Sequence, residues 1–136
     1  MSQAIRYFTK SKKGNTLKLA TAISEALNLE ALDITHPLEE KVDRLFLVNA
    51  MYAANIDKEV KDFIEANKDK IGEIVNLNTA ASGASTLKVI KKAADKAGVK
   101  VNEKEFHCVG SWIFINKGYP RPEDLKAAQE FVKSFN

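Results

Sequence analysis

One short run limits the possible folds more than any other feature of the chain. In Arg-Leu-Phe-Leu-Val-Asn-Ala (44–50), residues Leu45 to Val48 are apolar without interruption. A strand with one wet face alternates apolar and polar residues, whereas a strand covered on both faces does not need to. This run therefore predicts a central strand, Leu45 to Ala50, of a parallel sheet with helices on either side.

The segments around it agree. AIRYFT (Ala4 to Thr9) is short and β-rich, and after a polar turn Leu19, Ala20, Ile23 and Leu27 recur at helical spacing. LEALDIT reads as a second strand. Thr35 to Pro37 breaks the chain, and LEEKVD is expected to make a short helical piece before the central strand. Next, IDKEVKDFIEANKDK places Ile56, Val60, Phe63 and Ile64 on one helical stripe, with Asp57 near the helix start where the dipole favours it. GEIVNLNT (Gly72 to Thr79) is a fourth strand, followed by a helix from about Ser85 to Ala97 that Gly98 is placed to end. KEFHCVGSWIFI is a fifth strand with its extension, and PRPEDLKAAQEFVKSF a last helix with Pro122 in its first turn. Five strands, each followed by a helix, imply right-handed crossovers and a three-layer α/β/α doubly wound sandwich, expected to be a single domain over 1–136.

Composition closes several alternatives. With 45% hydrophobic and 29% charged residues the chain is expected to form one compact core. No apolar run approaches the ~20 residues of a membrane span, and MSQAIRYF lacks a signal-peptide core, so a cytoplasmic location and no membrane association are expected. Cys108 is the single cysteine, which predicts a small buried strand residue and excludes an internal disulfide. The net charge of +3 is modest, and no basic stretch is interleaved with aromatics, so no nucleic-acid partner is expected. His36 and His107 have no nearby partner in sequence that would make a nucleophile pair, and no catalytic residue and no metal ligand set is assigned.

In a doubly wound sheet, ligands sit beyond the carboxyl ends of the strands. Three connections then come into question. The first, Thr9, Lys10, Ser11, Lys12, Lys13, Gly14, Asn15 and Thr16, offers hydroxyls, a glycine and the N–H groups of a helix start, which suit a phosphate. It contains neither GxxxxGK[ST] nor GxGxxG, and the same residues also suit a helix start with no ligand. The second, Asn49, Ala50, Met51, Tyr52, Ala53 and Ala54, presents an aromatic ring after a buried strand; stacking on a planar ligand is worth ~0.5 to 1.5 kcal/mol beyond area burial. Alternatively, Tyr52 packs over the end of the sheet. The third, Thr79, Ala80, Ala81, Ser82 and Gly83, is all small, allowing close backbone approach to a flat ring or simply a tight turn.

YFTKSKKGNTLKLA resembles the phosphate loop of flavodoxins at Gly14, Asn15, Thr16 and Ala20. LFLVNAMYAANIDKEVKDFIE is similar to their flavin loop and following helix, with Tyr52 at the aromatic position and Ile56, Val60 and Phe63 on the helix. EFHCVGSW and KGYPRPEDLKAAQEFVK are similar to the last strand and helix of short flavodoxins. The resemblance covers nearly the whole chain. It implies the strand order 2-1-3-4-5, FMN held by the three connections just named, and electron transfer with redox partner proteins as a monomer. Two other outcomes accompany it: an NAD(P)H-dependent flavin or quinone reductase, and a flavodoxin-like domain that has lost FMN and acts through protein contacts. The chain departs from the family pattern at Lys12 and Lys13, at Val48 or Asn49, Ala50 and Ala54, and in its pI near 8.9. The third connection has no aromatic, for which Trp112 is a candidate substitute, the other reading of Trp112 being a core or rim residue. By Coulomb attraction, the lysines are expected to favour an anionic reduced flavin, so replacing Lys12 and Lys13 by serine should lower the reduction potential.

Overall fold

A computed structural model describes residues 1–9, 14–111 and 116–136. Lys10, Ser11, Lys12, Lys13 and Trp112 lie outside the described residues. The elements in order are β1 (Gln3–Tyr7), α1 (Asn15–Leu27), β2 (Ala31–Asp33), β3 (Val42–Ala50) and α2 (Lys58–Ala66); then a 3-10 turn (Lys68–Lys70), β4 (Ile71–Ala80), α3 (Leu87–Ala97), β5 (Lys100–Val101), β6 (Phe106–Val109) and α4 (Pro122–Lys133).

All strand pairings in the sheet are parallel, and its order is β2-β1-β3-β4 followed by the edge that β5 and β6 share. The uninterrupted apolar run works as expected. On β3, Leu45 and Leu47 face one layer with Val60, Phe63 and Ile64 of α2 and Ile90 and Ala94 of α3. Phe46 and Val48 face the other, with Leu19, Ala20 and Ile23 of α1 and Ala128 and Val132 of α4. All four β3 residues are fully buried. Gly98, with φ 75°, ends α3 in the left-handed region that glycine adopts at little cost.

Two expectations are corrected. No helix follows β2; the connection to β3 runs as turns and bends. Its polar groups are bound from outside instead. Thr35 N donates to Asp33 Oδ1 at 2.8 Å, and buried Arg6 donates to His36 O (2.8 Å) and Pro37 O (3.3 Å). Leu38 N reaches Asn67 Oδ1 at 2.9 Å, and Lys70 Nζ donates to the carbonyls of Leu38 and Glu39. Helix-favouring residues in LEEKVD are outweighed by these anchors and by burial of Leu38.

The expected fifth strand, KEFHCVGSWIFI, is confined among the described residues to β6 (Phe106–Val109), and an additional two-residue strand, β5, precedes it on the same edge. β5 pairs only Glu73 and Ile74, while β6 pairs Leu77 to Ala80 and ends at Val109. Between them Asn102 N donates to Ile74 O at 2.8 Å and Asn102 Oδ1 accepts from Lys104 N at 2.9 Å, a side-chain turn that takes the chain off the sheet.

Candidate functional site

The carboxyl ends of β1, β3 and β4 bring the three connections to one edge of the sheet. At the first, Gly14 occupies the N-cap of α1 with φ −71° and ψ 164° and, having no side chain, offers the helix no cap from that position. The first turn carries no acidic residue, so the positive end of the helix dipole is uncompensated by carboxylates there. Asn15 and Thr16, however, turn their side chains toward the protein. Asn15 donates from Nδ2 to Ser111 O at 2.8 Å, and its Oδ1 accepts from Ser111 Oγ at 3.0 Å. Buried Thr16 places its hydroxyl 3.4 Å from that of Thr79. These two residues tie the start of α1 to the ends of β4 and β6. Thr9 is half-buried before the first connection.

At the second connection Asn49 and Ala50 are buried, Met51 and Tyr52 half-buried, and Ala53 and Ala54 exposed. Met51 N donates to Thr79 O at 3.1 Å, which binds this loop to the third. Tyr52 and Asn55 exchange backbone hydrogen bonds of 2.7 and 2.9 Å across a two-residue turn. Both central residues are left-handed, Ala53 at φ 50° and Ala54 at φ 61°, as a type I′ turn requires. Alanine has no local reason to adopt that conformation, at a cost of roughly 1–2 kcal/mol per residue.

The third connection leaves a buried Thr79 and Ala80, exposes Ala81 and Ser82, and turns at half-buried Gly83. Gly83 N donates to Ala80 O at 3.0 Å, as does Gly110 N. Behind it lies a set of buried side chains that the sequence reading did not single out as a group. Thr86 Oγ1 donates to Asn49 Oδ1 (2.7 Å), Asn49 Nδ2 donates to Asn76 Oδ1 (2.7 Å), and Asn76 Nδ2 donates to Thr86 Oγ1 (3.1 Å). Each of the three is donor and acceptor, so the bonds close a ring, and all three residues are at 0% exposure. Asn78, equally buried, accepts from Thr86 N at 3.0 Å and donates to Ala84 O at 3.0 Å. Asn49 thus lies one layer behind the surface, holding the second and third loops together.

Gly110 belongs to the same frame. A Cβ there would meet Asn15 Nδ2 at 2.8 Å and Thr79 Cβ at 3.3 Å, so its absence lets α1, β4 and the chain after β6 approach closely. The signals available in sequence for these residues were the amides at alternate positions of VNLNT and the glycine of CVGS.

Other chemistry is sparse. Burial, reinforced by Asp124, pushes the Cys108 thiol up to about 12, so it is an unreactive neutral group. His107 Nδ1 lies 2.9 Å from Glu105, whose carboxylate also accepts from Ser85 Oγ; the carboxylate separates histidine from serine. His36 lies 3.4 Å from Asp33, whose carboxyl is lowered chiefly by the Thr35 hydroxyl. Among the described residues no cluster of three or more histidine, cysteine or acidic side chains is placed to bind a metal, and no helix is long and apolar enough to cross a membrane. A groove of about 500 Å³ begins at Ala54 and Asn55 but runs away from the sheet edge, between α2 and α3.

The architecture matches solved structures across the chain. A flavodoxin from the domain Archaea superposes with a TM-score of 0.74 at 13% identity, covering 96% of this chain and 93% of that one. The fold is that of the flavodoxins. The oxidised Flavodoxin 1 from Bacillus cereus gives a TM-score of 0.67 at 19% identity over 97% and 98% of the two chains. A Fusobacterium nucleatum flavodoxin, whose structure is bound to flavin mononucleotide, gives 0.66 at 16% identity over 99% and 97%. No protein-family model matches this chain. No curated protein matches it either. In this flavodoxin fold the order 2-1-3-4-5 puts the ends of β1, β3 and β4 side by side, with β6 added on the edge shared with β5.

Proposed function

We propose that the chain binds FMN at the sheet edge between the three loops and serves as an electron carrier for redox partner proteins. The observation that carries this reading is the start of α1. A helix N-terminus with glycine at its N-cap and no carboxylate in its first turn opens beside two further loops in a flavodoxin fold, and a phosphate is the group such a terminus suits. The residues present fit the rest of the cofactor: Met51 and Tyr52 are half-buried beside the small, exposed Ala81 and Ser82, whose size lets a flat ring approach the backbone closely. FMN, when bound, supplies reversible one- or two-electron chemistry.

The chain's own residues would position it. Asn15 and Thr16 fix the start of α1, and the Asn49–Asn76–Thr86 ring fixes the third loop, so the cofactor meets donors that need no rearrangement. The flavin-bound Fusobacterium neighbour supports the same cofactor. The reading includes a monomer in the cytoplasm, to be checked by gel filtration and cell fractionation.

Titration of the purified chain with FMN, followed by absorbance and by quenching of flavin fluorescence, tests this. A saturable spectral change at one equivalent is expected. No change with folded protein overturns the reading in favour of a domain that acts through protein contacts. Steady NAD(P)H oxidation by the loaded protein would instead favour a reductase.

A further inference from the structure

The groove between α2 and α3 gathers positive charge. Lys88 and Lys92 lie on its wall at one-turn spacing along α3, with Lys96 one turn further, and Lys61 faces them from α2. Glu65 is the single acidic residue lining it, and its carboxylate is already 2.8 Å from Lys68, which lies outside the lining. Four lysines against one glutamate leave the groove at +3, equal to the formal charge of the entire chain. Neighbouring lysines are neutralised, Lys58 by Asp62 at 2.6 Å and Lys91 by Glu103 at 2.6 Å. Among the described residues no ion pair is made by the four lysines of the groove. Four like charges facing one another across two helices, with one carboxylate among them, repel, and an anionic occupant reduces that repulsion.

We propose that this groove docks an acidic segment of a partner protein. Its shape favours a polypeptide over other polyanions. The floor between the lysines carries Val89 and Ala93, which suits the backbone and short side chains of a peptide. A cleft of about 500 Å³ between two helices is too narrow for a duplex nucleic acid, and no aromatic lines it for stacking on single-stranded bases. An anionic membrane would need exposed apolar anchors, and Met1 is the one strongly exposed large hydrophobic residue among those described. The mouth of the groove at Ala54 and Asn55 is the second loop itself, so a protein seated there lies beside Tyr52. That the partner is a redox protein rests on the FMN reading; the charge and shape of the groove do not.

The test uses the full chain and a short polyglutamate peptide carrying a red-emitting dye, followed by anisotropy at low ionic strength with and without FMN. Binding that weakens steeply with added salt is expected, with about a tenfold loss or more in the Lys88→Glu/Lys92→Glu double variant. The Lys126→Glu/Lys133→Glu variant changes net charge equally on α4, on the opposite layer, and should bind as the wild type does. Absence of binding, an equal loss in the α4 variant, or equally tight binding of a short DNA duplex overturns the proposal. Polyglutamate binding that persists in a protein unable to take FMN keeps the groove and removes the flavin reading; FMN binding without polyglutamate binding removes the groove alone.

Discussion

The second and third loops lie side by side at one sheet edge and are joined by the Met51 N to Thr79 O hydrogen bond, yet they hold their shapes by opposite means. The third presents small residues to the outside and keeps its anchors inside, in the Asn49–Asn76–Thr86 ring and Asn78. The buried ring reaches the second only at its base, through Asn49. Its turn is exposed and carries two alanines at positive φ, with the geometry imposed by the backbone bonds between Tyr52 and Asn55. A loop fixed by buried polar groups loses its fold when an anchor is removed; a loop under backbone strain gains stability when the strain is relieved. The contrast predicts mutational effects of opposite sign a few residues apart.

The largest effect is expected at Asn76. Asn76→Leu keeps the volume but removes the acceptor for Asn49 Nδ2 and the donor to Thr86 Oγ1 inside a fully buried site. Unsatisfied buried polar groups cost about 1–3 kcal/mol each, partly relieved here because Asn49 Nδ2 also lies near the carbonyls of Leu47 and Leu77. A loss of about 2–3 kcal/mol in urea unfolding is expected. A loss below ~1 kcal/mol would mean that the ring does not hold the loop.

Gly110→Ala comes next. The added methyl must push Asn15 from its bonds to Ser111 or part it from Thr79. A destabilisation of about 1–2 kcal/mol is expected, typical of overpacking, together with weaker FMN binding if Asn15 moves the start of α1. Unchanged stability and affinity would show that the first loop is not coupled to the third through this contact.

How much of this was legible in the sequence follows from the range of the interactions. Leu45 to Val48 announced a doubly covered strand because that signal is local, and the helix stripes of α2, α3 and α4 are local too. The Asn76–Thr86–Asn49 ring was not legible as a unit: its members come from two strands and a helix start, and an amide in an apolar strand has meaning only once its partners are known. The absence of a helix after β2 depends in the same way on Arg6, Asn67 and Lys70, distant in sequence. The left-handed turn at Ala53 and Ala54 left no trace, because alanine is not a turn residue and neither glycine nor asparagine marks the position.

Cys108 tests the interior beneath the third loop, since it pairs in register with Thr79. In the folded protein its pKa stands at about 12, above the 9.0 of a free thiol. Between those values the unfolded chain loses a proton that the folded chain keeps, so stability is intact below pH 9 and falls as pH rises toward 12. At pH 10 the difference is about 1.4 kcal/mol. The pH dependence of unfolding should therefore be flatter by that amount in Cys108→Ala than in the wild type between pH 8 and 10. Curves that remain parallel would show that the site admits water and that the thiol ionises as freely folded as unfolded.

The smallest effect has the opposite sign and decides the comparison. At Ala54 the backbone is already left-handed, φ 61°, and the side chain is exposed, so Ala54→Gly removes a Cβ clash without losing packing. Relief of the left-handed conformation, ~1–2 kcal/mol, is partly offset by the extra freedom glycine gives the unfolded chain, ~0.5–1 kcal/mol. A net gain of about 0.5–1 kcal/mol is expected, read as a higher midpoint of thermal unfolding. The same substitution at Ala84, just after the third loop, whose own φ is not positive, should give no gain and a loss of about 0.5–1 kcal/mol from chain entropy alone. If both substitutions destabilise, the turn at Ala53 and Ala54 is held without strain, and the two loops are built alike after all.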